Sequence, residues 1–600
     1  MKAMRWPADY FKDQTVVDIQ ARLGQLSAQV ERGPAWAAFV AALGGLKGTP
    51  AEPMAEAAFT GEVKSNEIGR TFRRALFALW LERVIPTDPV LHAFGAAAHE
   101  AHREAFRELD QKIQRQNRAQ LLEGLRTRCS SAYGSAPNAQ KQFLMREMAK
   151  QRAHKPLRRT LREAHEAVRA LKPCFMMSPL SVAQFLPSTA RFDLVVFDEA
   201  SQLPTEDAVG AICRGRQLVV VGDPKQLPPT NFFSLQTQAG DGSIDTDGDG
   251  VLDETESVLE ECIGAGLHQA YLEWHYRSAH QSLIQFSNEE FYGRRLTVFP
   301  AAAYDGPELG IKFRHDPTAV YQGSGCNPQE AARVAQAVVD HFRDHREESL
   351  GVGTFNLRQQ SEINEALERL RRSDPSLDEF LSRDRDEPFF VKNLENIQGD
   401  ERDVIFLSVG YGRTADGTFS LNFGPLNREN GKRRLNVLVS RARRRMEVFS
   451  SIQAADIDLS RVQTEGPRLL RNFLEFAATG RIQRAEVTGG EAESPFEDEV
   501  RRMLQDNGYI ADAQVGVGKY RIDIGVRVAS RPGVYIAGVE CDGAAYHSSP
   551  CARDRDRLRQ SVLESRGWQI IRIWSTDWFK DRQGTTQRLL RQLRELRGGV

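Results

Sequence analysis

Two apolar runs, residues 194–197 in "FDLVVFDEASQ" and 218–221 in "QLVVVGDPKQLPPT", end abruptly in polar loops carrying Asp198, Glu199 and Asp223. Short runs that are apolar throughout, without alternation, suit strands buried on both faces of a parallel sheet. Parallel strands need crossover connections, usually helical, so this feature commits the middle of the chain to an α/β fold. "LGVGTF" and "DVIFLSVG" repeat the pattern further on and predict a second such sheet. Paired carboxylates at the end of a buried strand can hold Mg²⁺ and polarise a water.

At about 150 residues per domain, 600 residues suggest three or four domains. Residues 1–170 read as a helical arm or insertion. "HEAHREAFRELDQKIQRQNRAQLLEGLRTR" is charged and almost free of Gly and Pro, with Phe106, Leu109 and Ile113 at helical spacing. Residues 171–290 hold the first sheet region and 291–485 the second. "EVTGGEAES" reads as a linker, and 486–600 form a last compact unit. "AYLEWHY" reads as a further strand. The formal net charge is −1, so any nucleic-acid-binding surface must be local. Seven cysteines without a CxxC pair argue against disulfide and zinc frameworks. No run of about 18 apolar residues occurs, and a soluble cytoplasmic protein is expected, with no membrane partner.

The order of the remaining motifs is the strongest functional signal. "FDEASQ" and "VVVGDPKQLPPT" are followed by "LEWHYRS", "NIQGDERDVIFLSVG" and "RRLNVLVSRARRR". This ordered set resembles motifs II to VI of superfamily 1 helicases of the DEASQ-box group, over roughly residues 170–450. The resemblance implies two RecA-like domains with ATP between them and single-stranded nucleic acid across their top. It makes Asp198 a Mg²⁺ ligand, Glu199 the orienter of the attacking water and Gln226 a γ-phosphate sensor. It makes Arg277 and Arg441 the arginines that neutralise charge on the transferred phosphoryl group. Gln398, Gly399, Glu401 and Arg443 join the nucleotide-binding set, with Glu401 near the ribose and Gln398 linking ATP to the strand.

The family's first motif, GxxxxGK[ST], is absent. Gly431-Lys432 and Gly518-Lys519 are the two Gly-Lys pairs, and neither has the upstream Gly or the following Ser/Thr. Without that loop no backbone nest cradles the phosphates and no Lys reaches them. Two readings follow: the C-terminal portion of a longer helicase, or a motor relic kept as a scaffold. Retention of the later motifs together favours the first, with the phosphate loop on an upstream segment or chain. The first RecA-like domain, 171–290, is then incomplete.

"DTDGDGVLDETE", 245–256, fits the spacing of a calcium loop through Asp245, Asp247, Asp249, Gly250 and Glu256. No entry helix precedes it, and a flexible acidic loop is the preferred reading over Ca²⁺ binding.

The last unit opens with "SPFEDEVRRMLQDNGY", a helix with Ser494 as N-cap and Phe496, Val500 and Leu504 as its apolar stripe. Folding "KYRIDIGVRVA" and "VYIAGVECDGAAYH" about the centre of "SRPG" places Asp523 opposite Glu540, with Asp542 on the same face. Carboxylates so crowded call for a divalent cation. The pattern, with "ARDRDRLRQSVLESRGWQIIRIWSTDW" after it, resembles the PD-(D/E)xK endonuclease fold, in the Vsr-like branch with E-x-D-G and a following His, over about 494–582. The resemblance implies Asp523 and Glu540 as ligands of Mg²⁺ or Mn²⁺, Asp542 in the usual place of a Lys, and His547 as acid/base or phosphate contact. Glu497 matches the first-helix acid, and equally a capping box with Ser494. Asp554 and Asp556 read as surface charges near a basic strip. The expected function is the C-terminal part of an ATP-dependent DNA helicase–nuclease acting on single-stranded or forked DNA. The alternative is an ATP-independent nucleic-acid-binding scaffold with a silent motor.

Overall fold

The computed structural model describes residues 14–49, 51–62, 64, 66–229, 257–306, 308–323, 325–382, 385–428, 430–462, 464–480, 494–516, 520–542, 551 and 553–598. Two compact units emerge, residues 1–99 with 576–584, and 100–575 with 585–600. The smaller is helical, with helices Val16–Ser27, Gly33–Leu46, Ile68–Thr87 and Pro89–Ala93. Its returning segment is held by Lys580, which donates to the Phe94 carbonyl at 2.7 Å.

The charged stretch of the helical region forms one 40-residue helix, Ala96–Ser135. Beyond it, β1 (Phe192–Phe197) and β2 (Gly215–Val220) pair in parallel. One face of this pair packs Val195, Phe197, Leu218 and Val220 into a small apolar cluster. The other leaves Leu194, Val196, Val219 and Val221 between 43% and 55% exposed. Parallel sheets are ordinarily covered on both faces. Among the described residues this one is covered on a single face.

The "AYLEWHY" strand is shorter than its sequence suggests. Only Trp274–His275 (β3) pairs, in parallel with Thr297–Val298 (β4). Leu272 and Tyr276 are 90% and 75% exposed, so this aromatic run lacks a face to bury.

A five-stranded sheet follows, built from β5 (Gly310–His315), β6 (Leu350–Thr354), β7 (Phe390–Asn393), β8 (Arg402–Ser408) and β9 (Ala442–Ser450). The order is β5-β9-β8-β6-β7, all parallel. Strand β6 is buried along its whole length, as its uninterrupted apolar character requires. Helices Pro328–Asp344 and Leu357–Ser373 cover one face, and Gly431–Val439 and Glu465–Thr479 contribute to the core of the other. Leu283 and Phe286, from helix Ser282–Glu290, also belong to this second core.

The C-terminal sheet comprises β10 (Ile510–Val515), β11 (Ile522–Arg527), β12 (Ala537–Asp542) and β13 (Ile570–Trp574). Its first three strands form an antiparallel meander and β13 adds in parallel to β12. Helix Pro495–Asp506 is N-capped by Ser494, whose hydroxyl accepts from the Glu497 N–H at 3.2 Å. The chain's middle is stitched to this domain. Phe299 and Ala302 share a core with Tyr520, Tyr535 and Trp568, and Trp568 Nε1 donates to the Pro300 carbonyl at 2.9 Å.

Candidate functional site

The end of β1 delivers Asp198 and Glu199 into a turn, and the backbone is unusual there. Glu199 has φ 52 and ψ 38, the left-handed region that costs a non-glycine residue energy and recurs where function demands an orientation. Its carboxylate meets the second sheet domain. Gln398, in the loop after β7, donates through Nε2 to Glu199 Oε2 at 3.2 Å and to Gln226 Oε1 at 3.3 Å. Gln226 in turn donates to Asp223 Oδ2 at 3.1 Å, and the Tyr292 hydroxyl donates to the same oxygen at 2.7 Å. Asn436 closes the chain, donating to the Tyr292 hydroxyl at 3.0 Å and to the Lys225 carbonyl at 2.9 Å. Burial, then the Asp223 charge, pushes the Tyr292 phenol above its ordinary range, so it stays a donor.

Two arginines converge on the same place. Arg277 pairs with Glu401 at 2.5 Å. Arg441 is 3% exposed, and its guanidinium donates to the Val437 carbonyl at 2.7 Å and to Ser440 Oγ at 3.3 Å. Among the described residues it has no carboxylate in ion-pair contact. Burial, and next the nearby Arg277 charge, draws its pKa down to about 10. A buried cation lacking a counterion is costly, and an arriving anion would relieve it. Gly399, at φ 86, makes the left-handed turn between Gln398 and Glu401. Arg443 sits elsewhere in this network, donating to Glu387 at 2.8 Å and lying 3.1 Å from Asp403.

The second site lies in the C-terminal sheet. The β11–β12 register pairs Ile524 with Val539 and Gly525 with Gly538, so Asp523 and Glu540 are the next opposed positions. Asp523 Oδ2 accepts the Cys541 N–H at 2.7 Å. Burial, then the Glu540 charge, raises the Asp523 carboxyl; Glu497 and Asp542 add to it. Glu540 is raised too, chiefly by burial, against the lowering effects of Arg559 and Arg572. Arg559 NH2 stands 3.5 Å from both Glu540 oxygens, and its guanidinium stacks 4.1 Å from the Tyr520 ring centroid. Arg572 donates to Asp542 Oδ2 at 2.7 Å, both side chains under a tenth exposed. Glu497 accepts from Ser494 Oγ at 2.9 Å and from Gln514 Nε2 at 2.9 Å.

These carboxylates suit a hard divalent cation by donor chemistry, all oxygen. The raised carboxyls of Asp523 and Glu540 have a physical cause that a bound cation relieves, burial among like charges. Among the described residues the one group of such side chains with all ligand atoms within 4.8 Å is Glu308, His345 and Glu348. Arg445 and Arg444 are already paired to its carboxylates. His547 and the acidic segment 245–256 lie outside the described residues.

Three family models match. Residues 95–233 and 255–453 match the AAA domain models AAA_11 and AAA_12, and 496–593 match REase_MTES_1575. The chain therefore combines superfamily 1 helicase-like AAA domains with a restriction-endonuclease-like domain. Two similar proteins are the "Uncharacterized ATP-dependent helicase MG140 homolog" of Mycoplasma pneumoniae and "Uncharacterized ATP-dependent helicase MG140" of Mycoplasma genitalium. They are each 28% identical, over 445 and 439 residues, covering 70% and 69% of this chain. "DNA-binding protein SMUBP-2" of Mesocricetus auratus is 24% identical over 377 residues, covering 57% of this chain and 34% of that one. The chain spans 38% of the length of each mycoplasma relative.

Sequence reasoning missed Tyr292 and Asn436 in the first site, and Gln514, Arg559 and Arg572 in the second. Arg572 left a trace: it is the one charged residue in the apolar "WQIIRIW", and burial there demands a partner. Arg559 is one of several arginines in "ARDRDRLRQ" and left none.

Proposed function

We propose that this chain is part of an ATP-dependent DNA helicase–nuclease, with the division 171–290, 291–485 and 486–600 separating two RecA-like domains and the nuclease. The opposition of Asp523 and Glu540 on β11 and β12, with Glu497 of the preceding helix close enough to raise the Asp523 carboxyl, supports the nuclease half. These three hold a Mg²⁺ or Mn²⁺ ion, which when bound polarises the phosphodiester and eases deprotonation of a water. Asp523 is fixed by the Cys541 N–H, and Glu497 by Ser494 and Gln514. Asp542, held by Arg572, lines the site, and His547 transfers a proton. DNA as substrate accords with the name of the SMUBP-2 relative.

The motor half rests on Gln398 bridging Glu199 and Gln226, with Arg277 and Arg441 beside them. Asp198 is the Mg²⁺ ligand, while Gln398, Gly399, Glu401 and Arg443 surround the nucleotide. The phosphate loop comes from a segment or chain carrying the missing motif. The uncovered apolar face of β1 and β2 supports this, since Leu194, Val196, Val219 and Val221 are what such a segment would bury.

The test is DNA cleavage by the purified chain with Mg²⁺ or Mn²⁺ and no ATP. Cutting that disappears in Asp523→Asn supports the reading. No cutting of single-stranded, duplex or forked DNA by wild type with either metal favours the alternative, a nucleic-acid-binding scaffold.

A further inference from the structure

Two arginines stand against the carboxylates of the C-terminal sheet, and they are held in different ways. Arg572 donates to Asp542 Oδ2 at 2.7 Å, with both side chains under a tenth exposed. Arg559 keeps 34% of its side chain exposed. It follows a π-helical turn, Asp554–Leu558, and opens helix Arg559–Ser565. Single π turns are uncommon and recur at functional sites.

The groups that place Arg559 carry no charge. Its Nε donates to the Tyr520 hydroxyl, and its Nη2 to the Arg521 carbonyl at 3.4 Å. Burial, then the Glu540 charge, raises the Tyr520 phenol above its ordinary range, so this acceptor is neutral. The guanidinium lies over the Tyr520 ring, 4.1 Å from the centroid. Toward Glu540 it stands off, with Nη2 3.5 Å from both carboxylate oxygens. A closed ion pair would bring such atoms to about 2.7–2.9 Å. Arg559 is thus fixed by neutral groups, stands beside Glu540 without closing on it, and remains open to solvent.

Phosphodiester hydrolysis calls for a cation so placed. The oxygen of water bonds to phosphorus, and the bond to the leaving ester oxygen breaks with its electron pair going to that oxygen. Water gives up one proton and the leaving oxygen takes one up. During this exchange negative charge builds on the non-bridging oxygens, and a preorganised donor beside them lowers the barrier. A guanidinium matches a phosphate with two parallel hydrogen bonds from its planar fork. Strand β12 brings no cation of its own, since Ala537–Asp542 holds two acids and no basic residue.

We propose that Arg559 is a catalytic residue, binding the scissile phosphate and holding the charge that builds on its non-bridging oxygens. The inference rests on the metal-dependent nuclease reading. It places the phosphate-binding cation of that reaction on the helix between β12 and β13 and not on a strand.

The rival role is that of a counter-ion, in which Arg559 only offsets Glu540 until a metal arrives. Arg559→Met in the full chain separates the two. Single-turnover DNA cleavage at saturating Mn²⁺ is set beside Mn²⁺ affinity from titration calorimetry and the metal-free melting midpoint. The heat that vanishes in Asp523→Asn marks this metal site against any other. A phosphate contact predicts a rate lower by about 10²-fold or more. Mn²⁺ affinity should be unchanged or tighter, because a positive charge has left the side of a ligand. Arg559→Lys should recover part of the rate, as a point charge without the fork. A wild-type rate in Arg559→Met once Mn²⁺ saturates overturns the inference and leaves the counter-ion role. So does a slow rate in Arg559→Met that added Mn²⁺ restores. Where Arg559→Met does not fold, Arg559→Lys decides, and a wild-type rate there overturns the inference. A wild-type chain that cuts no DNA overturns the nuclease reading itself, and this inference with it.

Discussion

Gln398 Nε2 lies 3.2 Å from Glu199 Oε2, joining the loop after β7 in the second sheet domain to the carboxylate that ends β1 in the first. The same amide reaches Gln226 at 3.3 Å. A single side chain thus reads both loops of the first sheet, and any displacement of the two domains must break or remake these bonds. Coupling between ATP and a bound strand requires an element that both can bias, and on the proposed helicase reading this contact is that element.

On this arrangement the chain alone should hydrolyse no measurable ATP, with or without DNA. The side chains proposed to orient water and stabilise charge are present, but the sequence holds no GxxxxGK[ST] loop to grip the phosphates. Adding a segment that carries GxxxxGK[ST] should restore turnover, and Gln398→Ala should then lower DNA stimulation more than basal rate. DNA-stimulated turnover by the chain alone, lost in E199Q, would show that another phosphate grip exists.

Arg434 is fully buried and pairs with Glu395 at 2.6 Å. Replacing it by Met leaves a buried carboxylate without its counter-charge, which costs about 3–5 kcal/mol. Hydrogen exchange of β8 amides should accelerate accordingly. The double change Arg434→Met with Glu395→Leu should recover much of the loss, because no charge is then stranded. Equal destabilisation in the single and double variants would refute an electrostatic cause.

Glu330 gives a pH dependence with a definite sign. Burial raises its carboxyl from 4.5 to about 7, in spite of hydrogen bonds from Ser408 at 2.6 Å and the Gly410 N–H at 2.8 Å. The folded state therefore binds this proton more tightly than the unfolded chain. The stability it contributes is complete below about pH 4.5 and is lost as pH rises through about 7, a change of about 3 kcal/mol. Glu330→Gln should flatten this part of the stability profile of the five-stranded domain. An unaltered profile in that variant would assign the dependence to other groups.

The β11–β12 hairpin was legible because its two halves are symmetric about "SRPG"; counting outward from residues 531 and 532 yields the observed register. The buried runs at β6 and β8 were legible for the same kind of reason, an uninterrupted apolar pattern, whereas β1 and β2, which the same pattern reads as buried on both faces, are covered on one among the described residues. Where the sequence misled, periodicity was outweighed by environment. "AYLEWHY" alternates well enough, yet Leu272 and Tyr276 remain in solvent and pairing stops at two residues. Gln514 was invisible because a left-handed φ in mid-strand has no sequence signature unless Gly or Asn marks it. Tyr292 and Asn436 come 69 and 213 residues after Asp223, a closeness that only the fold creates.

The carboxylates of the C-terminal sheet can be ranked by how each is held. Among the described residues Asp523 and Glu540 have no counter-charge closer than Arg559, at 3.5 Å from Glu540, so the proposed cation site depends on both. Asp523→Asn or Glu540→Gln should abolish cutting and leave the metal-free fold intact or firmer, because either change removes one of several crowded, buried charges. Asp542 is different. Its Oδ2 already accepts from Arg572 at 2.7 Å, which reduces what it can offer a cation. Asp542→Asn should therefore lower the rate less than Asp523→Asn does, while loss of the buried charged contact from Arg572 shows as a drop in melting temperature. A loss equal to that of Asp523→Asn, with stability unchanged, would make Asp542 a direct ligand. His547→Ala should slow cutting by roughly 10²-fold or more if that imidazole moves a proton. The measurement is single-turnover cleavage at saturating Mn²⁺, so that weakened metal binding and a slowed chemical step are read apart.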